Sequence, residues 1–420
     1  MISAREAALL VLYEVFFKGA YSNLALKSFM ADNRDMIPPE KGLLTTLVYG
    51  VISRHFTLDH VIRQYARVKK RDKYIQLILE LGMYQLLYTD KIPQSAAVDQ
   101  SVRLAKKYCR GGAERFVNAV LRSFCRDGCR INYPDDETDR IAVEHSYSRE
   151  MAEAFIKYFG SRAEPIMAAL NEPPRLVLRA NTMKITAAEL ADILRGRGTD
   201  AETGGGDAIY CGGFDVGADK LYREGFYSVQ DEAAQQAAIA LDPKEGETVI
   251  DMCAAPGGKS THIAQLQRDT GRVLAFDIYD HKIKLINESA KRLGLNSITA
   301  RKGDATAPDP SLLQSADRVL CDVPCSGWGI IRRKPDIKLG AADIDALTDI
   351  QLKILKGGAG CLKRGGTLVY STCTIDPREN EAITDAFLNG NGEFEKIYEK
   401  TYYPDTDKTD GFYICKMKRK

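Results

Sequence analysis

Residues 249–265 read VIDMCAAPGGKSTHIAQ: a short apolar strand, a turn carrying two consecutive glycines, and the start of a helix. This is the junction at which α/β sheets bind nucleotide-like ligands, because glycine lets the backbone approach the ligand just ahead of a helix N-terminus. Two nucleotide motifs compete for the stretch and both fail. A P-loop, G-x-x-x-x-G-K-[ST], requires glycine at position 253, where this chain has Cys253, and the G-x-G-x-x-G dinucleotide fingerprint is missing. What remains is a tight turn in which Gly257 and Gly258 open the backbone to a ligand that is not held by its phosphates.

Outward from this turn, strand and helix signals alternate. ETVIDMC, RVLAFDI, SITARKGD, DRVLCDVP and TLVYSTC are short β-rich runs, with helical stretches such as KSTHIAQLQRD and DHKIKLINESAKRLG between the earlier ones. That alternation predicts a parallel doubly wound sheet. EFEKIYEKTYY and GFYICKMK read as an antiparallel pair that finishes it. Asp277 ends the second strand, where a carboxylate can accept both hydroxyls of a ribose, and Asp304 follows the third, near where a purine amino group would lie. Taken singly, each aspartate reads as a turn or helix cap. Carboxylates at the ends of successive strands are harder to attribute to capping, and together they describe an adenosine pocket without phosphate-binding equipment. That points to S-adenosylmethionine.

The fourth strand ends in Asp322, Pro324 and Cys325, and the fifth in Ser371, Thr372 and Cys373. In a sheet of this kind the two strands are neighbours, so both thiols face one crevice beside the methyl donor. Position 5 of cytosine is too weak a nucleophile to take a methyl group directly, whereas a thiolate added at position 6 turns the ring into an enamine whose position 5 can. A second group is then needed to remove the proton at position 5 and let the thiolate leave. A carboxyl group such as Asp322, hydrogen-bonded at N3, stabilises charge during addition. A free thiol has a pKa of about 8.5, so nearby Lys259 or Arg332 is expected to raise the thiolate fraction. Cys321, Cys361 and Cys415 read instead as small buried hydrophobes.

The 420-residue chain is too long for one ordinary core. Ten cysteines without a regular framework, and no secretory signal, predict reduced thiols in the cytoplasm. Neither C-x-x-x-C spacing, Cys125/Cys129 or Cys321/Cys325, has the partners of a structural zinc site, so no metal is expected. Residues 1 to about 130 are helical in period throughout. Net charge is only +2, so affinity for nucleic acid must come from local charge. Between Asp99 and Arg130 eight basic residues face three acidic ones, and RQYARVKKRDKY adds a second basic segment. Solvated helix faces explain one such run; two in a small helical unit favour a phosphate-contacting surface. YPDDETDR is a turn-rich connector, and residues 141–235 fit a small α+β unit.

DMCAAPGGKSTHIA, DVPCSGWGIIRRKPDIK and LVYSTCTIDPRENE resemble the signature blocks of RNA 5-methylcytosine methyltransferases, in particular the Sun/Fmu (RsmB-like) group acting on 16S ribosomal RNA. ELGMYQLLYTDKIPQSAAVDQSVRLAKKY followed by RFVNAVLRSF resembles the NusB-type helical domain of that group, and PPRLVLRANT through YSVQDEAAQ its small intermediate domain. The resemblance implies a NusB-like RNA-binding domain over 1–135, an intermediate domain over 141–235, and a Rossmann-like class I methyltransferase domain over 236–420. It implies Cys373 as the nucleophile and Cys325 as the residue assisting product release. Cys253, Ala254, Ala255, Pro256, Gly257, Gly258, Lys259, Asp277, Asp304 and Asp322 are then the S-adenosylmethionine site, with Asp322 also near the target base. The expected protein is a monomer that acts on 16S ribosomal RNA without a membrane partner. Trp328, in CSGWG, departs from the pattern and either stacks on an unpaired base or packs under its loop. A transfer-RNA methyltransferase and a non-enzymatic NusB-like RNA-binding factor are the competing readings; the second leaves the paired cysteines without a purpose.

Overall fold

A computed structural model describes residues 2–66, 72–340 and 342–420. The chain divides into two compact units, Met1–Glu172 with Ile331–Ala341, and Pro173–Ile330 with Ala342–Lys420.

The first unit is helical: α1 (Ala4–Lys18), α2 (Ser22–Asp32), α3 (Pro38–Tyr65), α4 (Lys73–Tyr88), α5 (Gln94–Tyr108), α6 (Ala113–Arg126), α7 (Glu137–His145), α8 (Arg149–Phe159) and α9 (Ala163–Ala169). Local chemistry sets the ends. Ser3 Oγ accepts the Glu6 N–H at 3.3 Å to start α1, and Gly19 closes it in the left-handed region at φ +70°. α4 is buried without a break from Leu77 to Gln85, Glu80 included, so it is the central helix of the unit. The basic segment RQYARVKKRDKY is residues 63–74, and its middle, 67–71, lies outside the described residues. Helices α7–α9 lie in this helical unit.

Ile331–Ala341 belongs to the same unit, and Lys338 shows how it is held. Its side chain is 3% exposed and Nζ donates toward the carbonyls of Ser53 (3.1 Å), His145 (3.3 Å) and Ser146 (3.0 Å) and to Asn171 Oδ1 (2.5 Å). The ammonium also lies 3.9 Å from the ring centre of Tyr147. Burial, with Arg54 adding repulsion, pushes this lysine well below its ordinary pKa.

The second unit holds two sheets. The smaller, antiparallel in the order β2-β3-β1-β4, is built from β1 (Leu176–Ala180), β2 (Ala201–Thr203), β3 (Ala208–Cys211) and β4 (Tyr227–Val229). It is flanked by α10 (Ala187–Gly196), opened by a Thr186/Glu189 capping box, and by α11 (Lys220–Arg223). Next come α12 (Glu232–Leu241), β5 (Thr248–Asp251), α13 (Gly258–Leu266), β6 (Arg272–Asp277), α14 (Asp280–Leu293), β7 (Ile298–Lys302) and β8 (Ala316–Asp322). The chain ends with α15 (Ile344–Cys361), β9 (Leu362–Thr372), α16 (Glu381–Asn389), β10 (Phe394–Tyr402) and β11 (Phe412–Arg419).

The larger sheet has the order β10-β11-β9-β8-β5-β6-β7. β5 to β9 are parallel, while β11 and β10 are the expected antiparallel finish. Alternate strand residues feed two cores. Ile250, Leu274, Val319, Cys321 and Tyr370 pack with Ile354 and Leu355 of α15. Val249, Val273, Leu320 and Val369 pack with Ala237 of α12 and Ile263 of α13. The chain runs from β5 outward to β7 and returns to β8 on the other side of β5, so the strand order reverses there. A crevice opens at such a reversal, beyond the carboxyl ends of the strands. No helix among the described residues is long and apolar enough to cross a membrane.

Lys338→Ala leaves buried carbonyl acceptors without their donor, at a cost of about 2–3 kcal/mol. The transition of the helical unit should move to lower urea concentration while the rest of the chain unfolds as before, followed by circular dichroism across a urea series.

Candidate active site

The parallel strands deliver their carboxyl ends to one edge, where a cleft of about 420 Å³ is lined by Met252, Cys253, Ala255, Asp277, Asp304 and Asp322 among others. The glycine turn follows directly on Ala255 of its lining. Gly257 has φ +104°, and a Cβ there would meet Ile286 Cα of α14 at 3.2 Å, so only glycine lets the turn close on that helix. The peptide between Ala255 and Pro256 is cis. Ala254 is buried with Ala275 and Ile286 beneath the turn. The structure therefore brings Cys253, Ala255, Asp277, Asp304 and Asp322 to one cavity. Ala254, Pro256, Gly257, Gly258 and Lys259 shape the turn without lining the cavity among the described residues.

Asp277 is buried at the end of β6; its Oδ1 accepts the Tyr279 N–H at 3.2 Å and Lys282 Nζ lies 3.6 Å from Oδ2. Asp304 accepts the N–H and hydroxyl of Thr306 at 2.8 and 2.7 Å, both through Oδ1, and these two bonds hold its carboxyl below the usual range. The turn-capping reading of Asp304 is thus correct, and the same residue still faces the cleft.

Beside the cleft, the Asp322 carboxylate receives Lys259 Nζ at 2.7 Å on one oxygen and the Ser371 hydroxyl at 2.8 Å on the other. Lys259 also lies 5.0 Å from the ring centre of Phe412. Burial opposes its charge, yet Asp322, then Cys373 and Asp251, carry its pKa above the ordinary value. Of the cations expected near the thiols, Lys259 is here, close enough for Cys373 to act on its charge.

Cys325 Sγ and Cys373 Sγ are 3.3 Å apart, and both cysteines are partly exposed. Their loops are pinned by backbone. The Gly329 N–H donates to the Cys373 carbonyl at 3.1 Å, and the Gly411 N–H to the Gly329 carbonyl at 2.8 Å. A Cβ on Gly329 would strike the Gly411 carbonyl oxygen at 2.0 Å, so this approach excludes any other residue. The hydrogen bond to Cys373 raises the Cys325 thiol well above its ordinary pKa, and burial adds to it. The acidity of one sulfur is thus tied to the other. Cys321, Cys361 and Cys415 are fully buried. Trp328 is 8% exposed, with the Arg378 guanidinium 5.7 Å from its ring centre, so it packs under the loop.

Several contributors escaped the sequence reading. Arg179 of β1 is buried and donates to the Gly258 carbonyl at 2.6 Å and to Thr261 Oγ1 at 3.0 Å, bracing the first turn of α13; it also meets Gln230. Lys282, Tyr279 and Ile350 line the cleft. Glu379 ties the Cys325 loop to α15 through Ser326 and Gln351. Glu379 did lie inside a quoted block, but nothing in its spacing marks it; only the packing does.

Three family models match the chain: 16S rRNA methyltransferase RsmB/F over residues 238–418, the NusB family over 2–126, and the RsmF/B-like ferredoxin-like domain over 149–210. A probable ribosomal RNA small subunit methyltransferase B from Bacillus subtilis (strain 168) is 39% identical, covering 100% of this chain and 99% of that protein. A protein of the same description from Synechocystis is 35% identical, covering 100% of both. The crystal structure of PH0851 superposes with a TM-score of 0.84, covering 100% of this chain and 99% of that one at 23% identity, a likeness of fold.

Burial pushes the Asp251 carboxyl, beneath the glycine turn, up to about 7; the Ser260 hydroxyl at 2.6 Å opposes this, and the Asp322 charge adds to it. A folded-state pKa above the unfolded value of about 3.9 means stability is fully present below that value and is lost as pH rises through the folded value. Asp251→Asn should therefore flatten the decline in thermal midpoint between about pH 4 and pH 7, checked by calorimetry of both proteins across that range.

Proposed function

Because the chain belongs to the RsmB/F family of 16S ribosomal RNA methyltransferases, we propose that it makes 5-methylcytidine in 16S ribosomal RNA with S-adenosylmethionine, through a covalent bond from Cys373 to the base. The observation that carries this reading is the thiol pair, 3.3 Å apart beside a cleft lined by strand-end carboxylates. A cysteine retained only for packing has no need of a second thiol and a buried lysine–aspartate pair next to it.

The residues present suit an adenosine-bearing methyl donor. Asp277 is an acceptor for vicinal ribose hydroxyls, Asp304 for a purine amino group, and Cys253 and Ala255 line the cleft between them. When bound, S-adenosylmethionine supplies a methyl group on a positively charged sulfur. Every other task falls to the chain. The target base leaves its stack to reach the thiols, as enzymes acting on a base require. The Cys373 thiolate, beside the Lys259 ammonium, adds to C6, and the electron pair of the C5–C6 double bond moves to C5, which can then take a methyl group. A proton passed from the Lys259 ammonium through Asp322 to N3 neutralises the charge that addition places on the ring, and it returns by the same path on release.

Release uses Cys325. While Cys373 is an anion, its hydrogen bond and charge hold the proton on Cys325. Once the Cys373 sulfur is bonded to C6 that influence is gone, and Cys325 gives up its proton to water more readily. The Cys325 thiolate then takes the proton from C5, the C5–H electron pair restores the double bond, and the C6–S bond breaks to return Cys373 as a thiolate. The NusB-family match and the excess of basic residues over 99–130 support RNA as the macromolecular partner.

Cys373→Ala should reduce methyl transfer below about one thousandth of wild type, and methylation that persists in this variant rejects the nucleophile. Cys325→Ala should instead accumulate protein bound covalently to RNA, visible as a slow band on a denaturing gel. Asp277→Ala should raise the KM for the methyl donor by about tenfold to a hundredfold, the loss of one or two charge-assisted hydrogen bonds. Steady-state kinetics on unmodified 16S ribosomal RNA measures this, and transfer RNA run in parallel separates the two substrate classes.

A further inference from the structure

Glu379 is buried, ionisable and without a part in the chemistry above. It is fully enclosed, and burial raises its pKa. Its Oε1 accepts the Ser326 hydroxyl at 2.5 Å, and its Oε2 accepts both the Ser326 N–H at 2.9 Å and the Gln351 side-chain amide at 2.8 Å. The same Gln351 amide donates to the Pro324 carbonyl at 2.9 Å. Pro324 and Ser326 flank Cys325, so the chain on both sides of that thiol is tied to one carboxylate, directly or through Gln351.

The same network reaches the other thiol. Ser326 Oγ lies 2.9 Å from Oγ1 of Thr374, the residue after Cys373. The Asp376 N–H donates to Thr374 Oγ1 at 3.2 Å, and the Ser326 proton is committed to Glu379, so the Thr374 hydroxyl donates to Ser326. The Tyr370 hydroxyl donates to the Glu379 backbone carbonyl at 2.6 Å, which anchors the residue to β9. Each thiol is therefore followed by a hydroxyl residue, and the two hydroxyls form a chain that ends on Glu379.

All three donors to the Glu379 carboxylate are neutral, and a buried acid in such company carries a desolvation cost that an apolar residue would avoid. A carboxylate accepts from all three donors at once. A carboxamide has one acceptor oxygen, so it keeps the network only if the Ser326 hydroxyl turns to accept from its NH₂ and donates to Thr374, reversing the hydroxyl chain between the two loops. We propose that Glu379 is a positioning residue that holds the Cys325 loop so that the two sulfurs stay within proton-transfer distance. This rests on the covalent reading of the thiol pair. It assigns Glu379 a role in releasing the product and none in binding RNA or donor.

Two readouts test it on the full-length protein. Without RNA, phenylarsine oxide bridges two thiols only when they are close, so intact-protein mass spectrometry should show the bridged form in wild type. Cys325→Ala sets the background from other cysteines. Glu379→Gln should need about tenfold more reagent for the same bridging, and with RNA it should accumulate covalent complex while kcat falls by about tenfold and KM for RNA stays within about twofold. Ser326→Ala, which removes one link and keeps the carboxylate, should shift both readouts in the same direction and carries the test if thermal melting shows that Glu379→Gln is unfolded. Wild-type bridging with no accumulation of complex in the folded variant overturns the proposal, as does a loss of methyl transfer with raised KM and no complex. Lost bridging in Glu379→Gln, with no complex formed by Cys325→Ala, supports the positioning role and rejects the covalent reading instead.

Discussion

The site depends on one register. β8 and β9 are parallel neighbours with Asp322 opposite Ser371, and the Val323 N–H continues the ladder to the Ser371 carbonyl at 3.0 Å. Both strands therefore end at the same level, and the loops that follow leave side by side. Cys325 and Cys373 meet because of that shared end. Antiparallel pairing would send the two loops to opposite edges, and a slip of one residue would turn Ser371 away from Asp322.

Around this meeting point the fold buries more charge than stability alone favours. Asp251 is held up near neutrality beneath the glycine turn, while Asp322 is matched by Lys259 at 2.7 Å. Such a group is stable only because the surrounding packing over-determines it. Arg179 braces α13, Phe412 faces the lysine, and the close approach of Gly329 and Gly411 leaves the loops no slack. The result is a set of protons whose positions depend on one another. The Cys325 thiol is raised by its hydrogen bond to Cys373 and by burial, so the state of one sulfur bears on the acidity of the other.

Much of the fold was legible because its signals are local. The alternation of short apolar strands with helices needs only side-chain periodicity, and all five parallel strands and the antiparallel finish lie where it placed them. The aspartates at strand ends were legible for the same reason: once a strand is recognised, its carboxyl end in a doubly wound sheet is known. The small segment after the connector was less legible. α7–α9 carry an ordinary helical pattern, which by itself says nothing about which core it serves. Ile331–Ala341 was equally opaque, because a lysine reads as solvated until Lys338 is found surrounded by carbonyls.

By itself, then, the sequence determined the elements, their order, the glycine turn and the residue types at strand ends, since each follows from the covalent neighbours of a residue and the period of its side chains. Only the tertiary structure decided which charges are paired, that Cys325 and Cys373 meet, and that Glu379 ties down the loop around Cys325. Those properties depend on dielectric surroundings and on groups 48 to 63 residues apart along the chain, as with Cys325 and Cys373 or Lys259 and Asp322. No local pattern records distances that exist only after the strands have paired.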